Sequence, residues 1–153
     1  AVLGRAERAG IPCRHLSSKT HPDPDTLDAA ICSALDAADT DLVVLAGYMK
    51  KLGPRVLRTY ENRIINVHPS LLPRYGGRGC YGLRVHEAVL ANGDRVTGAT
   101  VHLVTSEYDE GGIIKQAEVE VSPDDTAESL SAKVHQLEYG LLLEVINQFA
   151  EDR

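Results

Sequence analysis

The chain has too few cysteines to be stapled by them and no apolar run long enough to cross a membrane. Cys13, Cys32 and Cys80 are odd in number and widely spaced. They fit neither a disulfide framework nor a zinc site, and free thiols in a reducing cytoplasm are the plain reading. No stretch approaches the roughly 18 apolar residues of a membrane span. Residues 1–10 are charged and periodic, which a signal peptide is not. Basic residues are the minority: 16 Lys and Arg against 22 Asp and Glu leave a formal charge of -6. That sign argues against nucleic acid as the main partner, because phosphate binding needs a basic surface. The histidines (His15, His21, His68, His86, His102, His135) show no i,i+4 helical pair and no Cys-His spacing, so no metal is expected. There is no Gly-x-Ser-x-Gly elbow of a serine hydrolase, no repeat and no low-complexity stretch.

What is present suffices for one compact domain over residues 1–153, 43% hydrophobic and 25% charged. Helical and strand patterns alternate. Residues 1–9 read as a helix stopped by Gly10, and residues 13–16 as a short strand. Asp23 and Pro24 read as N-cap and first residue of a helix that turns Leu27, Ile31, Ala34 and Leu35 inward. Residues 41–46 are nearly all apolar, as in a parallel strand covered on both faces. A short helix at 54–60, a strand at 64–67 and an aperiodic loop at 68–82 follow. A helix at 83–91 closes on Asn92-Gly93, and strands at 98–105 and 113–121 are close enough to pair antiparallel. Asp125 then caps a long helix with Leu130, Val134, Leu137, Leu141, Val145 and Phe149 inward. The sum is an α/β fold, a mostly parallel sheet flanked by helices.

Ligands of such sheets collect at the carboxyl ends of parallel strands. Gly47-Tyr48-Met49-Lys50 leaves one strand end there and Asn66-Val67-His68 the next. Asn66 and His68, two apart on an extended chain, share a face, and Pro69 and Pro73 fix the backbone after them. Asp109 follows in a Tyr-Asp-Glu-Gly-Gly turn. An amide donor for an oxyanion, a proton-carrying imidazole and an orienting carboxylate are parts for acyl transfer. Beside His68, Asp109 would favour the imidazolium and raise the histidine pKa. The plainer alternative leaves Asp109 bonding only the amides of its own turn. Gly77, Gly79 and Gly82 spell G-x-G-x-x-G without a preceding strand or the later acidic residue, so a loop over the site is expected rather than a dinucleotide site. Lys50 and Lys51 are either a solvated turn or an attractor of acidic ligand. His135 and Glu138, at i and i+3, share one helix face.

The segments Val43-Val44-Leu45-Ala46-Gly47-Tyr48-Met49, Ile65-Asn66-Val67-His68-Pro69-Ser70-Leu71-Leu72-Pro73 and His86-Glu87-Ala88-Val89-Leu90-Ala91-Asn92-Gly93-Asp94 make the chain resemble the phosphoribosylglycinamide formyltransferases, or glycinamide ribonucleotide transformylases, of purine biosynthesis. Gly98-Ala99-Thr100-Val101-His102 and Tyr108-Asp109-Glu110-Gly111 continue the likeness. Methionyl-tRNA formyltransferase and formyltetrahydrofolate deformylase share the Asn-x-His and Asp-x-Gly elements. The resemblance implies a formyltransferase-type, Rossmann-like sheet, with Asn66, His68 and Asp109 catalytic. It implies formyl-folate contacts at Met49, Lys50, Lys51, Leu52, Asn66 and Asp109, and substrate contacts at Gly47, Met49, Pro69, His135 and Glu138. His135 stands where some members have glutamine, and residues 76–82 look like an extended loop. The implied reaction moves a formyl group from 10-formyltetrahydrofolate to the amino group of glycinamide ribonucleotide, without metal and with cationic His68. The alternatives are a non-catalytic folate-binding remnant, an incomplete chain, or a formyltetrahydrofolate hydrolase. The family's first strand and its phosphate-cradling turn have no counterpart in residues 1–153. The fold is therefore expected to be N-terminally incomplete, the chain alone unstable or self-associating, and ribonucleotide phosphate poorly held.

Overall fold

A computed structural model describes residues 2–151. They form two compact units, residues 2–40 with 52–59 and residues 41–51 with 60–151.

The first unit is helical. α1 (Val2–Arg8) buries no side chain. It ends at Gly10, whose positive φ of 67° lets the chain turn back. Residues 11–16 form no strand, since they meet no partner strand to complete their hydrogen bonds. α2 (Pro24–Asp36) starts as its sequence dictates, with Asp23 accepting from the Thr26 amide at 2.9 Å and Pro24 at the first position. Its most buried positions are Asp28 and Cys32, while Leu27, Ile31, Ala34 and Leu35 are half-buried. The reason lies in α3 (Pro54–Thr59). Asp28 accepts from the Arg55 and Val56 amides at 2.7 and 3.2 Å, satisfying donors that the start of a helix leaves unpaired. Gly53 makes room for it, because a Cβ there would lie 2.2 Å from the Asp28 carboxyl carbon.

The second unit holds a four-stranded sheet in the order β1 (Val43–Leu45), β2 (Ile64–His68), β3 (Val96–Leu103), β4 (Ile113–Glu120). The α/β class is as expected, but the sheet is mixed rather than mostly parallel. β1 and β2 run parallel, while β2–β3 and β3–β4 are antiparallel. The loop after His68 and α4 (Leu83–Ala91) return the chain at the end of the sheet where β2 finished, so β3 must run against it. β4 follows from a tight connection closed by Leu103 N–H to Gly112 O at 2.8 Å. β1, at the sheet edge, is half-buried rather than covered on both faces.

Strand alternation divides the sheet cleanly. Ile65, Ala99 and Val101 point to one face and form a core with Val134, Leu141 and Val145 of α5 (Ala127–Glu151). Val67, Leu103, Leu137 and Phe149 pack around it. Each fully buried aliphatic side chain contributes about 1.5–3 kcal/mol, so this face fixes the register of β2 and β3. Thr126, one residue after the expected cap, exchanges hydrogen bonds with Ser129 at the start of α5. Asp125 instead accepts from the Ser122 amide, the Ser129 hydroxyl and Lys133, and these hold its carboxyl down at about 2, Lys133 contributing most.

Candidate active site at the ends of β2 and β3

The opposite face carries polar groups. Antiparallel register sets Asn66 across from His102, His68 across from Thr100, and Thr100 across from Gln116. The β3–β4 register shifts at Val101/His102, with the extra residue on β4, while the β2–β3 register stays unbroken there. These five residues thus share one face through strand period and register.

The hydrogen bonds fix ring orientations. His102 Nδ1–H donates to the Leu103 carbonyl at 2.8 Å, so in its neutral form Nε2 accepts, and Asn66 Nδ2 lies 3.2 Å from it. An amide nitrogen has two hydrogens, which leaves Asn66 one to offer elsewhere. His68 Nε2–H donates to the Tyr75 carbonyl at 2.8 Å. Its Nδ1 faces Asp109 Oδ2 at 3.5 Å, and His102 Nε2 stands 3.5 Å from Asp109 Oδ1. The carboxylate sits between two imidazoles.

Asp109 reaches that position from a left-handed backbone conformation, φ 57°. The Gly77 amide donates to its Oδ2 at 2.9 Å. Gly111 lets the turn lie against β3, for a Cβ there would be 1.7 Å from the Leu103 carbonyl oxygen. The loop facing Asp109 is strapped to the sheet as well. Thr100 Oγ1 donates to the Ser70 carbonyl at 2.7 Å and accepts from the Leu72 amide at 3.0 Å. Gln116 Nε2 donates to Thr100 Oγ1 at 2.9 Å and to the Leu72 carbonyl at 3.0 Å.

The direction of the His68 shift differs from the sequence expectation. Burial, the largest influence, pushes the His68 imidazole below the ordinary histidine range; Asp109 and the Tyr75 carbonyl pull upward without overcoming it, and His102 adds to the fall. His68 is only 4% exposed, so losing water outweighs gaining a carboxylate at 3.5 Å. The surroundings therefore favour the neutral imidazole over the cation. Burial alone would raise the Asp109 carboxyl, but His102, His68 and the Gly77 amide together hold it below the usual range. His86, buried on α4, is pushed down by burial and then by His68, and its Nδ1 has no hydrogen-bond partner among the described residues.

Asn66, His68 and Asp109 are thus brought together as the sequence suggested. His102, Thr100 and Gln116 were missed, although the alternating pattern of β3 sets Thr100 and His102 on one face. Gly47, Met49, Lys50 and Lys51 are exposed just after β1, whose Leu45 pairs with Asn66. Lys51 joins Glu107 at 3.4 Å and lies over the Tyr108 ring, beside a cavity of about 490 Å³ lined also by Gly77, Arg78 and Glu110. Leu52 belongs to the helical unit. Pro69 is half-buried directly after His68. His135 and Glu138 pair with each other at 3.1 Å on α5; burial pushes the Glu138 carboxyl up, with His135 pulling it back. Gly77, Gly79 and Gly82 all have positive φ in the loop between β2 and α4, where residues 69–76 separate them from the strand. Among the described residues no group of three or more His, Cys, Asp or Glu is arranged for a metal, and no helix is long and apolar enough to cross a membrane.

A helix-flanked mixed sheet presenting an amide, two imidazoles and a shared carboxylate has the parts that acyl transfer uses. Sequence comparison narrows the class: the chain belongs to the formyl transferase family, whose model matches residues 1–146. It is 42% identical over 149 residues to the chloroplastic phosphoribosylglycinamide formyltransferase of Vigna unguiculata, covering 97% of this chain and 47% of that protein. The phosphoribosylglycinamide formyltransferase of Escherichia coli K12 is 38% identical over 151 residues, 99% of this chain and 69% of that one. Among solved structures, glycinamide ribonucleotide transformylase 1 from Symbiobacterium toebii superposes with a TM-score of 0.89 at 42% identity, covering 99% of this chain and 69% of that one. A formyltetrahydrofolate deformylase from Pseudomonas syringae gives 0.86 at 31% identity, covering 99% and 49%. The chain spans about half the length of the plant relatives it matches.

Proposed function

We propose that this chain carries the catalytic residues for transfer of a formyl group from 10-formyltetrahydrofolate to the amino group of glycinamide ribonucleotide, a step of purine biosynthesis, in the cytoplasm. The observation that carries the reading is Asp109 held 3.5 Å from both His68 Nδ1 and His102 Nε2, with Asn66 on His102, in a member of the formyl transferase family.

The substrate amine attacks the formyl carbon, a C–N bond forms, and the carbonyl electron pair moves to oxygen. Asn66 donates its remaining amide hydrogen to that oxyanion. The attacking nitrogen now carries a surplus proton. Neutral His68 takes it at Nδ1, where Asp109 stabilises the new cation, and hands it to the departing folate nitrogen as the C–N bond to folate breaks. No proton is gained or lost overall. Starting neutral suits His68 to this role, since it must accept before it donates. Met49, Lys50 and Lys51 are assigned to the folate side, and Gly47, Pro69, His135 and Glu138 to the ribonucleotide side.

The test is to mix the protein with both substrates and follow N-formylated ribonucleotide by mass spectrometry. Its appearance at a rate that Asn66→Ala and His68→Ala abolish is expected. Release of formate without formylated amine would favour the hydrolase reading suggested by the deformylase likeness, and absence of both products would refute the proposal.

A further inference from the structure

The proton on His68 Nε2 is held by one acceptor, the Tyr75 carbonyl at 2.8 Å. What holds that carbonyl lies away from the reacting groups. Tyr75 has φ 55°, a left-handed conformation that a non-glycine residue keeps only when its surroundings impose it. Its phenol donates to Asp94 Oδ2 at 2.6 Å, a short bond to a charged acceptor. Asp94 sits after the Asn92-Gly93 turn that ends α4, and its side chain is 11% exposed. Arg74 Nη2 at 2.9 Å and Asn92 Nδ2 at 2.8 Å donate to its other oxygen. The Ser70 hydroxyl donates to the Arg74 carbonyl at 2.6 Å and closes the loop. Nothing in the proposed reaction uses Tyr75 or Asp94, yet Asp94 accepts from both Arg74 and Tyr75 of this loop.

We infer that Tyr75 and Asp94 form a clamp that decides which ring nitrogen of His68 carries the proton, by pinning the Tyr75 carbonyl opposite Nε2. With Nε2–H fixed, the lone pair lies on Nδ1 and looks toward Asp109, which is the arrangement a proton acceptor needs. Loosening the carbonyl frees His68 to move its hydrogen to Nδ1 and donate it to Asp109 Oδ2 instead, which blocks proton uptake. Tyr75 and Asp94 are positioning residues. Their effect on rate rests on the function proposed above for His68, whereas the tautomer they set does not.

Long-range proton–nitrogen NMR of the ¹⁵N-labelled protein reports the tautomer directly. The parent should show Nε2–H at His68. Tyr75→Phe, which removes one oxygen and no bulk, should shift the population toward Nδ1–H. Asp94→Ala should match it, and Asp94→Asn, which keeps an oxygen for the phenol, should restore most of the parental signal. In the transfer assay Tyr75→Phe should lower kcat about tenfold, the worth of one hydrogen bond to a charged group, with KM nearly unchanged and the acid limb of the kcat profile displaced. A changed tautomer with parental kcat keeps the clamp and removes His68 from the chemistry. An unchanged tautomer in Tyr75→Phe overturns the clamp, whether or not Asp94→Ala folds.

Discussion

Replacing Thr100 by valine removes one oxygen while keeping the shape of the side chain. Thr100 is fully buried, and its hydroxyl serves the Ser70 carbonyl, the Leu72 amide and Gln116 at once. Gln116 keeps the Leu72 carbonyl and is exposed, so water can replace what it loses. Ser70 and Leu72 are 0% and 5% exposed, so their backbone groups have little access to water. A buried polar group left unpaired costs about 1–3 kcal/mol, so two of them predict a loss of about 2–6 kcal/mol. Against a total of about 5–15 kcal/mol that is a large share of the stability. Urea denaturation with an unchanged slope reads the loss, and hydrogen exchange at the Leu72 amide reads it locally. Thr100→Ser should cost under about 1 kcal/mol, because the hydroxyl remains. If Thr100→Val shifts stability by less than about 0.5 kcal/mol and leaves the Leu72 amide protected, the strap between β3 and the loop does not exist as described.

Asn66→Ala should lower kcat by about 2.7–4 kcal/mol of transition-state stabilisation, the usual cost of one oxyanion donor, while folate binding by calorimetry changes far less; near-parental turnover would remove its role. Asp109→Asn takes away an influence that raises the His68 pKa, so NMR titration should find the variant's His68 lower still, and an equal or higher value would break the coupling. His68 and His86 both sit below the ordinary value of about 6.5. The unfolded chain therefore binds their protons first, and stability is complete above about pH 6.5 and declines as acid approaches the lowered folded values. A urea midpoint that holds level or rises between about pH 7.5 and 5.5 would contradict that sign. Gly111→Ala places a Cβ 1.7 Å from the Leu103 carbonyl oxygen. The turn must then move and carry Asp109 from both imidazoles, so activity should fall with shifted His68 and His102 resonances; unchanged resonances would refute it.

Much of the architecture could be read from local chemistry. The Asp23-Pro24 start, the Gly10 and Asn92-Gly93 stops and the inward stripe of α5 are properties of a few neighbouring residues, and all appear where the sequence puts them. Period two placed Asn66 and His68 on one face. Asp28, by contrast, occupies a helix face that reads as apolar, because its partners are amides 27 and 28 residues away. The strand expected at residues 13–16 failed for the converse reason: a local pattern cannot supply a partner.

The sequence by itself therefore determined the helices, four of the five expected strands and the alternation that separates a packed face from a polar one, and it put forward Asn66, His68 and Asp109 as candidates. Tertiary structure alone decided that β3 runs against β2, and with that register came His102 opposite Asn66 and Thr100 opposite His68. It also decided the direction in which the His68 pKa moves. A carboxylate nearby in the sequence pattern argues for a raised pKa, but whether water or protein surrounds the ring depends on the whole packed unit. In this fold the cost of burial is larger than the attraction of Asp109. Pairing across strands and loss of water are sums over residues distant in the chain, and no window of sequence contains them.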